Sequence, residues 1–379
     1  MVFQKNKNDE FQHSVVKQLN QKSEFDLTVA ESRKFSQKII SWYGENKRNL
    51  PWRNTKDPYK IWLSEIILQQ TRVRQGLPYY LKFVKQLPTV FSLAKAKEQE
   101  VLSLWQGLGY YTRARNLHQC AKDVVEKFQG VFPNNFNDLQ RLRGIGSYTA
   151  AAIASISFRE PVAVVDGNVF RVLSRIFGID KDISQSKTKD FFFALANELM
   201  SKEQPDEFNQ GVMEFGATHC LPKNPLCREC IFSKQCIANK HDLQTVLPVK
   251  SKKQKIRKRY FYYFVSHKSK KIWMKKRTEK DIWRGLFDFY LIETTKPVNI
   301  DKLGEKDENL GKYKLIAVSK TYKHILSHQH LKARFISVKT VKLKRKFNND
   351  FKYYTPTEIK KLPKPVLVLQ YLRDEGILD

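Results

Sequence analysis

Four cysteines in one short window constrain the fold of this chain more than any other feature. Cys220, Cys227, Cys230 and Cys236 follow the spacing Cys-x6-Cys-x2-Cys-x5-Cys in CLPKNPLCRECIFSKQC. Four thiolates so close together suit either a structural Zn²⁺ ion or an iron–sulfur cluster, and the spacing leaves both open. Disulfides are the least favoured interpretation, because the N-terminal sequence lacks the apolar segment of a secretion signal.

The charge of the chain favours a polyanionic partner. Among 379 residues, 69 Lys and Arg against 38 Asp and Glu give a formal net charge of +31. DNA or RNA is the leading partner for such a balance, although a lysine-rich solvated surface has the same composition. No apolar run reaches the ~18 residues that span a bilayer. We therefore expect a globular, cytoplasmic, nucleoid-associated protein with no membrane partner.

The spacing of apolar residues divides the chain into two kinds of structure. The first part is helical in pattern, as in RKFSQKIISWY, where Phe35, Ile39 and Trp42 share one face. The last part contains YFYYFVSHKSKKIWMKK and KARFISVKTVKL, which are typical of strands, and it closes with a predicted helix. The predicted order is a poorly ordered extension at 1–28, an all-α portion at 29–240, a basic linker at 241–258 and an α/β portion at 259–379.

The stretch LQRLRGIGSYTAAAIASISF predicts two helices joined by a glycine turn. Leu139 and Leu142 end a short helix, Gly144 and Gly146 form the turn, and an alanine-rich helix begins near Ser147. Glycines let the backbone approach a ligand closely, and a helix N-terminus offers free N–H groups. The motif suits one DNA phosphate, bound without sequence preference. An ordinary helical hairpin would use the same glycines for geometry alone.

Two carboxylates lie in contrasting sequence surroundings. Glu65 falls among Trp62, Leu63 and Ile66 in WLSEIILQQTRV, where burial would favour its protonated form. Asp166 ends the apolar run of AVVDGNVFRV just before a helix resumes, which is also the place of a routine N-cap. One neutral and one ionised carboxyl group can combine acid catalysis with cation stabilisation. Periodicity alone does not bring the two together.

Taken together, these motifs resemble the helix–hairpin–helix superfamily of DNA glycosylases with a [4Fe–4S] cluster, and within it the MutY family of adenine glycosylases. The matching pieces are LPWR, IWLSEIILQQTRV, LWQGLGYYTRARNL, LRGIGSYTAAAI, VVDGNVFRV and the four cysteines, in that order. The resemblance implies an all-α core, with a six-helix barrel at about 55–160 and a cluster domain from about 29–54 and 161–240. It also implies a C-terminal MutT-like (Nudix-like) domain, matched by WRGLFDFYLIE and HILSHQHL. We find no Nudix hydrolase box there, so that domain is expected to recognise a lesion.

The resemblance also implies catalytic roles. Glu65 matches the general acid and Asp166 the carboxylate that stabilises the sugar cation, while Arg53 and Asn168 match residues beside them. Tyr148 stands where enzymes of the endonuclease III type carry a lysine that forms a Schiff base with the sugar. A tyrosine cannot form that base, so the resemblance implies a monofunctional glycosylase.

A second group of positions matches residues that contact DNA. Tyr110 occupies the place of a wedge in the base stack. Two positions depart from the family pattern, since Arg143 replaces a common proline and Leu326 replaces the aromatic residue before Ser-His. The implied cofactor is a [4Fe–4S] cluster, and the implied partner of the monomer is double-stranded DNA containing A:8-oxoguanine or A:G. The matching DNA-contact positions are Gln70, Thr71, Leu108, Tyr110, Gly144, Gly146, Ser327 and His328.

Three alternatives remain open at this point. An endonuclease III-like glycosylase and lyase would act on oxidised pyrimidines, and a non-catalytic DNA-binding module would keep the fold without the chemistry. His328 also has a plain interpretation as a surface histidine near His324 and His330.

Overall fold

The chain folds into two compact units, each formed by two separate stretches. The first comprises Met1–Ile66 with Val131–Lys252, and the second comprises Ile67–Gly130 with Lys253–Asp379. The computed structural model describes residues 27–251, 256–303, 310–326, 328–343 and 350–379. Most of the predicted extension and part of the predicted linker lie outside these ranges, and the predicted domain boundaries stay a prediction.

Helices occupy most of residues 27–240, in agreement with their apolar periodicity. The first helix of the described residues begins after Thr28, whose hydroxyl accepts a hydrogen bond from the Glu31 N–H while the Glu31 carboxylate accepts one from the Thr28 N–H. This capping box satisfies N–H groups that would otherwise lack partners. The α-helices of the described residues are α1 (Val29–Asn46), α2 (Pro58–Leu68), α3 (Val73–Gln86), α4 (Val90–Lys95), α5 (Glu98–Leu104), α6 (Thr112–Phe128), α7 (Phe136–Gln140), α8 (Ser147–Phe158), α9 (Gly167–Phe177), α10 (Ser186–Leu199), α11 (Pro205–Thr218), α12 (Ile237–Lys240), α13 (Pro356–Lys361) and α14 (Val366–Asp374).

Aromatic side chains form the core of the first unit. Phe35, Ile39 and Trp42, predicted to share one face of α1, are all buried. The Phe35 ring stacks on Phe232 at a centroid distance of 4.9 Å, and Trp42 meets the edge of Phe215 at the same distance. Burying each such side chain contributes about 1.5–3 kcal/mol. This core fixes α1 against α11 and against the loop that carries the cysteines.

A mixed sheet forms the centre of the second unit. Within the described residues its eight strands include a central β1 that runs parallel to β7 and antiparallel to β4. The Phe335 ring stacks on Tyr263 at 5.1 Å and on Tyr371 of α14 at 4.0 Å, so α14 packs on the sheet. The strands are β1 (Arg257–Lys268), β2 (Lys271–Lys276), β3 (Phe287–Asp288), β4 (Tyr290–Thr294), β5 (Leu310–Val318), β6 (Tyr322–Leu326), β7 (Gln329–Leu343) and β8 (Phe351–Tyr354).

Helices α3 to α6 belong to the same unit as this sheet. Arg115 donates to the carbonyl of Arg284 at 2.5 Å, and Ser103 donates to the carbonyl of Lys361 at 3.2 Å. The sequence pattern does not reveal this pairing of distant segments, because such contacts leave no periodic signal. Of the helices in the described ranges, not one has both the length and the apolar character needed to cross a membrane.

Candidate active site

Glu65 lies on α2 with its carboxyl group in the protein interior. Its sequence neighbours Trp62 and Ile66 are buried, and Glu65 itself is only 8% exposed. The apolar spacing of α2 therefore carries a titratable group into the core, as the sequence predicts. Such a group is costly to ionise unless a cation or several hydrogen-bond donors compensate for the lost water.

The surroundings of Glu65 favour its protonated form. Burial raises the pKa of Glu65 to about 7, and the nearby Asp166 carboxylate adds to the rise. A hydrogen bond with Tyr148 and the positive charge of Arg53 oppose it without cancelling it. Glu65 and Asp166 therefore interact in the folded protein, although about a hundred residues separate them in the sequence. Glu65 can hold a proton near neutral pH and release it to a substrate.

Tyr148 completes the surroundings of this acid. It lies in the first turn of α8, and its hydroxyl is 3.4 Å from the sulfur of Met213. Burial and the two carboxylates hold the pKa of Tyr148 well above its ordinary value. The side chain is therefore a neutral phenol that can donate a hydrogen bond to Glu65.

Asp166 is both an N-cap and a neighbour of the acid. Its Oδ1 accepts from the backbone N–H groups of Asn168 and Val169, each at 2.8 Å, and its Oδ2 accepts from Asn168 Nδ2 at 2.8 Å. Burial raises the pKa of Asp166, while these donors and the Arg171 charge oppose the rise. Asp166 is therefore the N-cap of α9, and the cap fixes the orientation of the carboxylate that the resemblance predicts to be functional.

Asn168 is held in place from the opposite side. Its Oδ1 accepts from Arg171 at 2.9 Å, and Arg171 also donates to the carbonyls of Gly216 at 2.6 Å and Cys220 at 2.8 Å. A Cβ on Gly216 would lie 2.7 Å from the Asn168 Cβ, so the close approach of α9 and α11 requires glycine there. The amide that binds Asp166 is thereby fixed in one orientation.

Arg53 reaches this site from the turn before α2, where it is held by Glu214. The two arginines Arg53 and Arg48 donate to both carboxylate oxygens of Glu214, which is 1% exposed. Burial raises the pKa of Glu214, but these hydrogen bonds outweigh it and lower the pKa to about 2. Sequence reasoning missed Glu214, although its position among apolar residues in QGVMEFGA is the same signal that identified Glu65.

We expect Glu214→Gln to lower the free energy of unfolding by about 3 kcal/mol at neutral pH, because two guanidinium groups lose their counter-charge. The pKa of Glu214 is lowered from 4.5, so its stabilisation is complete above about pH 4.5 and fades as the pH falls toward about 2. Urea denaturation from acidic to neutral pH measures the difference between variant and wild type. The exposed Glu45→Gln is the control, and a pH-independent difference for Glu214→Gln would contradict the assignment.

The glycine hairpin has the predicted form. Gly144 adopts φ +78° between α7 and α8, a conformation that favours glycine, and Gly146 is the N-cap residue of α8. Gly146 has no side chain with which to cap the first turn of α8, and Gly144, Gly146 and Ser147 are exposed. Backbone N–H groups at a helix N-terminus such as this one favour the binding of an anion. Arg143, the departure from the family pattern, is exposed beside them.

The predicted DNA-contact residues of the second unit differ in exposure. Gln70 and Tyr110 are exposed, the latter by 39%, and Thr71 is half-buried. Leu108 is only 6% exposed, so its side chain lies inside the protein in this conformation. His328 is exposed in the turn between β6 and β7, whereas Ser327 lies outside the described residues.

All four predicted cysteine ligands line one cavity. Burial raises the pKa of Cys230 to about 11, and the other three thiols are close enough to add to the rise. The buried Arg175 donates to Cys220 Sγ at 3.4 Å and to four backbone carbonyls of the surrounding loop. Across the described ranges, no three His, Cys, Asp or Glu side chains are arranged to hold a metal ion. The donor set of four thiols around a shared space nevertheless fits a cluster of iron and sulfide.

Known proteins similar in sequence to this chain include DNA glycosylases, in agreement with the paired carboxyl groups and the glycine hairpin described above. Residues 63–197 match the HhH-GPD superfamily of base excision DNA repair proteins, and residues 261–374 match the NUDIX domain. An adenine DNA glycosylase of Buchnera aphidicola (subsp. Schizaphis graminum) is 39% identical over 282 residues, which cover 72% of this chain and 81% of that protein. The chain belongs to the adenine DNA glycosylase family. The resemblance predicted from six ordered motifs is confirmed.

A mammalian relative and two solved structures match a shorter part of this adenine glycosylase family member. The human adenine DNA glycosylase is 43% identical over 219 residues, which cover 55% of this chain and 40% of that protein. A thermostable thymine-DNA glycosylase structure matches with a TM-score of 0.52 and 30% identity, covering 56% of this chain and 98% of its own. An endonuclease III–DNA complex matches with a TM-score of 0.50 at 20% identity, covering 57% and 99%. The predicted fold class, a helical glycosylase core followed by a Nudix-like domain, is confirmed.

Proposed function

We propose that this protein is a monofunctional DNA glycosylase of base excision repair that hydrolyses the N-glycosidic bond of adenine mispaired with 8-oxoguanine or guanine. The observation that carries the proposal is Glu65, a buried carboxyl group with a pKa of about 7 beside an oriented Asp166 carboxylate. Family membership supports the choice of adenine as the base. A DNA substrate also agrees with the nucleoid-associated, cytoplasmic location that the sequence predicts.

In the proposed reaction, Glu65 donates its proton to a ring nitrogen of adenine. The bonding electrons of the glycosidic bond then leave with a neutral purine instead of an anion, and general acid catalysis of this kind contributes about 10²–10⁴-fold. The sugar becomes cationic, and the Asp166 carboxylate, held by Asn168 and Val169, stabilises it. Water adds to the sugar carbon, and the proton that the water loses restores Glu65.

Access to the glycosidic bond requires that the adenosine leaves the base stack. Extrusion costs a few kcal/mol, which contacts with the flanking backbone must offset. We propose that the N–H groups at Gly146 and Ser147 bind one phosphate and that exposed lysines bind others. Tyr110, exposed on its loop, is the proposed wedge. We further propose that Gln70, Thr71, Ser327 and His328 contact the lesion pair.

Single-turnover excision on matched duplexes tests this function. We expect excision of adenine from A:8-oxoguanine and A:G duplexes, slower excision from A:C, and none from A:T. A parallel duplex with an oxidised pyrimidine tests the endonuclease III-like alternative. Activity on that duplex alone would overturn the proposal, and binding of all duplexes without excision would identify a non-catalytic module.

Tyr148→Lys tests the monofunctional assignment. A lysine amine at this position could attack the sugar carbon and form a Schiff base that leads to strand cleavage, which a phenol cannot do. We expect the variant to gain weak strand-nicking and to be trapped on DNA by borohydride. The matched variant Tyr148→Phe should nick no more than wild type does. If Tyr148→Lys excises adenine but forms no trapped adduct, the position does not decide between the two classes.

We also propose that Cys220, Cys227, Cys230 and Cys236 hold a [4Fe–4S] cluster. When bound, the cluster would bind the loop 220–236 to the end of α9 and would not take part in hydrolysis. The purified protein should then absorb visible light and contain iron and acid-labile sulfide in equal amounts. Cys230→Ser should lose the colour, while Cys120→Ala, which alters the buried cysteine outside this group, should keep it. A colourless, zinc-loaded protein would contradict the proposal.

A further inference from the structure

Two loops of the second unit carry residues predicted to contact the lesion pair. One follows α2 and contains Gln70 and Thr71, and the other joins α5 to α6 and contains Leu108 and Tyr110. Gln70 (φ +54°) and Tyr110 (φ +48°) both adopt a left-handed conformation that is unfavourable for residues other than glycine. Such conformations persist only where surrounding groups hold them in place.

The side chain of Arg113, in the first turn of α6, reaches both loops. Its Nη1 donates to the carbonyl oxygens of Gln69 at 2.5 Å and Ile67 at 3.2 Å. Its Nη2 lies 3.5 Å from the Thr71 hydroxyl in the first loop and 3.4 Å from the Leu108 carbonyl in the second. One planar guanidinium group therefore joins two segments that lie about 40 residues apart in the sequence.

Aromatic rings cover the Arg113 guanidinium group. Its centre lies 5.1 Å from the Trp105 ring and 5.7 Å from the Tyr110 ring, so it contacts the proposed wedge itself. The buried Trp105 in turn donates to the carbonyl of Gly109 at 2.9 Å. Burial lowers the pKa of Arg113 to about 10, so the group is still a cation at neutral pH. Hydrogen bonds from a charged, partly desolvated group are among the stronger ones in proteins.

We propose that Arg113 is a positioning residue that holds the Gln70 loop and the Tyr110 loop in one register, so that both meet DNA as a single surface. The inference rests on the proposed function. Lysine cannot replace Arg113, because an ammonium group is a compact charge without the planar fork that spans two loops. The expected role lies in extrusion of the adenosine, and not in proton transfer from Glu65 or in phosphate binding at Gly146.

Hydrogen exchange on the full-length protein without DNA tests the structural half of this proposal. We expect backbone amides of Arg113→Lys to exchange faster than those of wild type in two separate peptides, one covering 67–72 and the other covering 107–111. Arg33→Lys, a change of the same type at an exposed position on α1, should leave both peptides unchanged. Faster exchange in only one loop, or in neither, would overturn the proposal. This result does not depend on activity, so it stands even if the protein fails to excise adenine.

Excision from two substrates tests the functional half. On an A:8-oxoguanine duplex we expect Arg113→Lys to react about 10–100-fold more slowly, because misplaced contacts weaken extrusion. On adenine opposite an abasic site, where the base is already unpaired, the loss should fall to about 3-fold or less. Affinity for undamaged duplex should stay near the wild-type value. Equal losses on both substrates would indicate general damage to the fold and would overturn the positioning role.

A second variant tests the same proposal independently, in case Arg113→Lys folds poorly. Trp105→Phe keeps the aromatic cover but removes the N–H that holds the Gly109 carbonyl. We expect faster exchange in the 107–111 peptide alone and a smaller, substrate-dependent loss of excision. Wild-type exchange in that peptide would contradict the proposed hold on the second loop.

Discussion

Glu65→Gln should slow the excision of adenine by orders of magnitude while leaving the binding of lesion DNA intact. Glutamine keeps the shape of the side chain and can still accept a hydrogen bond from Tyr148, but it has no acidic proton to donate. We expect the single-turnover rate to fall by about 10²–10⁴-fold, the usual contribution of a general acid. Affinity for A:8-oxoguanine duplex should change little, since Glu65 lies in the interior and the proposed phosphate contacts are elsewhere in the chain.

The pH dependence of the two proteins provides an independent check. The pKa of Glu65 is raised to about 7, so the wild-type rate should fall about tenfold per pH unit above that value as the acid loses its proton. The rate should also fall at acid pH, when Asp166 is protonated. The residual rate of Glu65→Gln should lack the alkaline fall. A variant that excises at the wild-type rate would remove Glu65 as the acid.

The same pKa has a consequence for stability. Because the folded-state pKa lies above the ordinary 4.5, ionisation of Glu65 weakens the fold as the pH rises between these values. Glu65→Gln should therefore unfold at the same temperature as wild type or higher at pH 7 and above. A marked loss of stability would show that the carboxylate has a structural partner.

Asp166→Asn should lower the excision rate by about 10²–10³-fold with a smaller loss of stability than Asp166→Ala causes. Asparagine is as good an N-cap as aspartate, so the backbone N–H groups of Asn168 and Val169 can still donate to its oxygen. Its NH2 group cannot accept from Asn168 Nδ2, and the negative charge that stabilises the sugar cation is lost. Asp166→Ala should lose the same activity and, in addition, about 1 kcal/mol of stability. Single-turnover kinetics and thermal denaturation of both variants separate these two effects.

Two outcomes would contradict this assignment. If Asp166→Asn retained the wild-type rate, the carboxylate would be a cap and nothing more. If Asp166→Asn lost as much stability as Asp166→Ala, the loss of activity would reflect damage to α9 instead of missing charge. Binding of lesion DNA by each variant is the control for a folded protein.

Local patterns in the sequence predicted most of the fold. The apolar face of α1, the glycine turn before α8 and the strands from Arg257 onward all follow from spacing, because each depends on residues within a few positions of one another. The association of α3 to α6 with the sheet was not predictable in this way. It depends on single contacts such as that between Arg115 and the Arg284 carbonyl.

The two buried glutamates show that the direction of a pKa shift cannot be predicted from the local sequence. Glu65 and Glu214 have similar apolar neighbours in the sequence, yet their pKa values are about 7 and about 2. The difference comes from Arg48 and Arg53, which form hydrogen bonds with Glu214. Glu65 has a hydrogen bond with the Tyr148 phenol, and Arg53 acts on it through its charge. A sequence can indicate that a carboxylate is buried, but the sign of its pKa shift depends on partners brought by tertiary structure.

Because Asp166 is the N-cap of α9 and also the proposed stabiliser of the sugar cation, local unfolding of α9 should inactivate the enzyme. The carboxylate that begins α9 is the one proposed to steady the reacting sugar, so any fraying of that helix turns it away from its target. A partly unfolded or cleaved molecule should then lose its excision activity before it could lose its selectivity for the target base. For an enzyme that removes bases from DNA, losing activity before selectivity would protect the cell from unselective base removal.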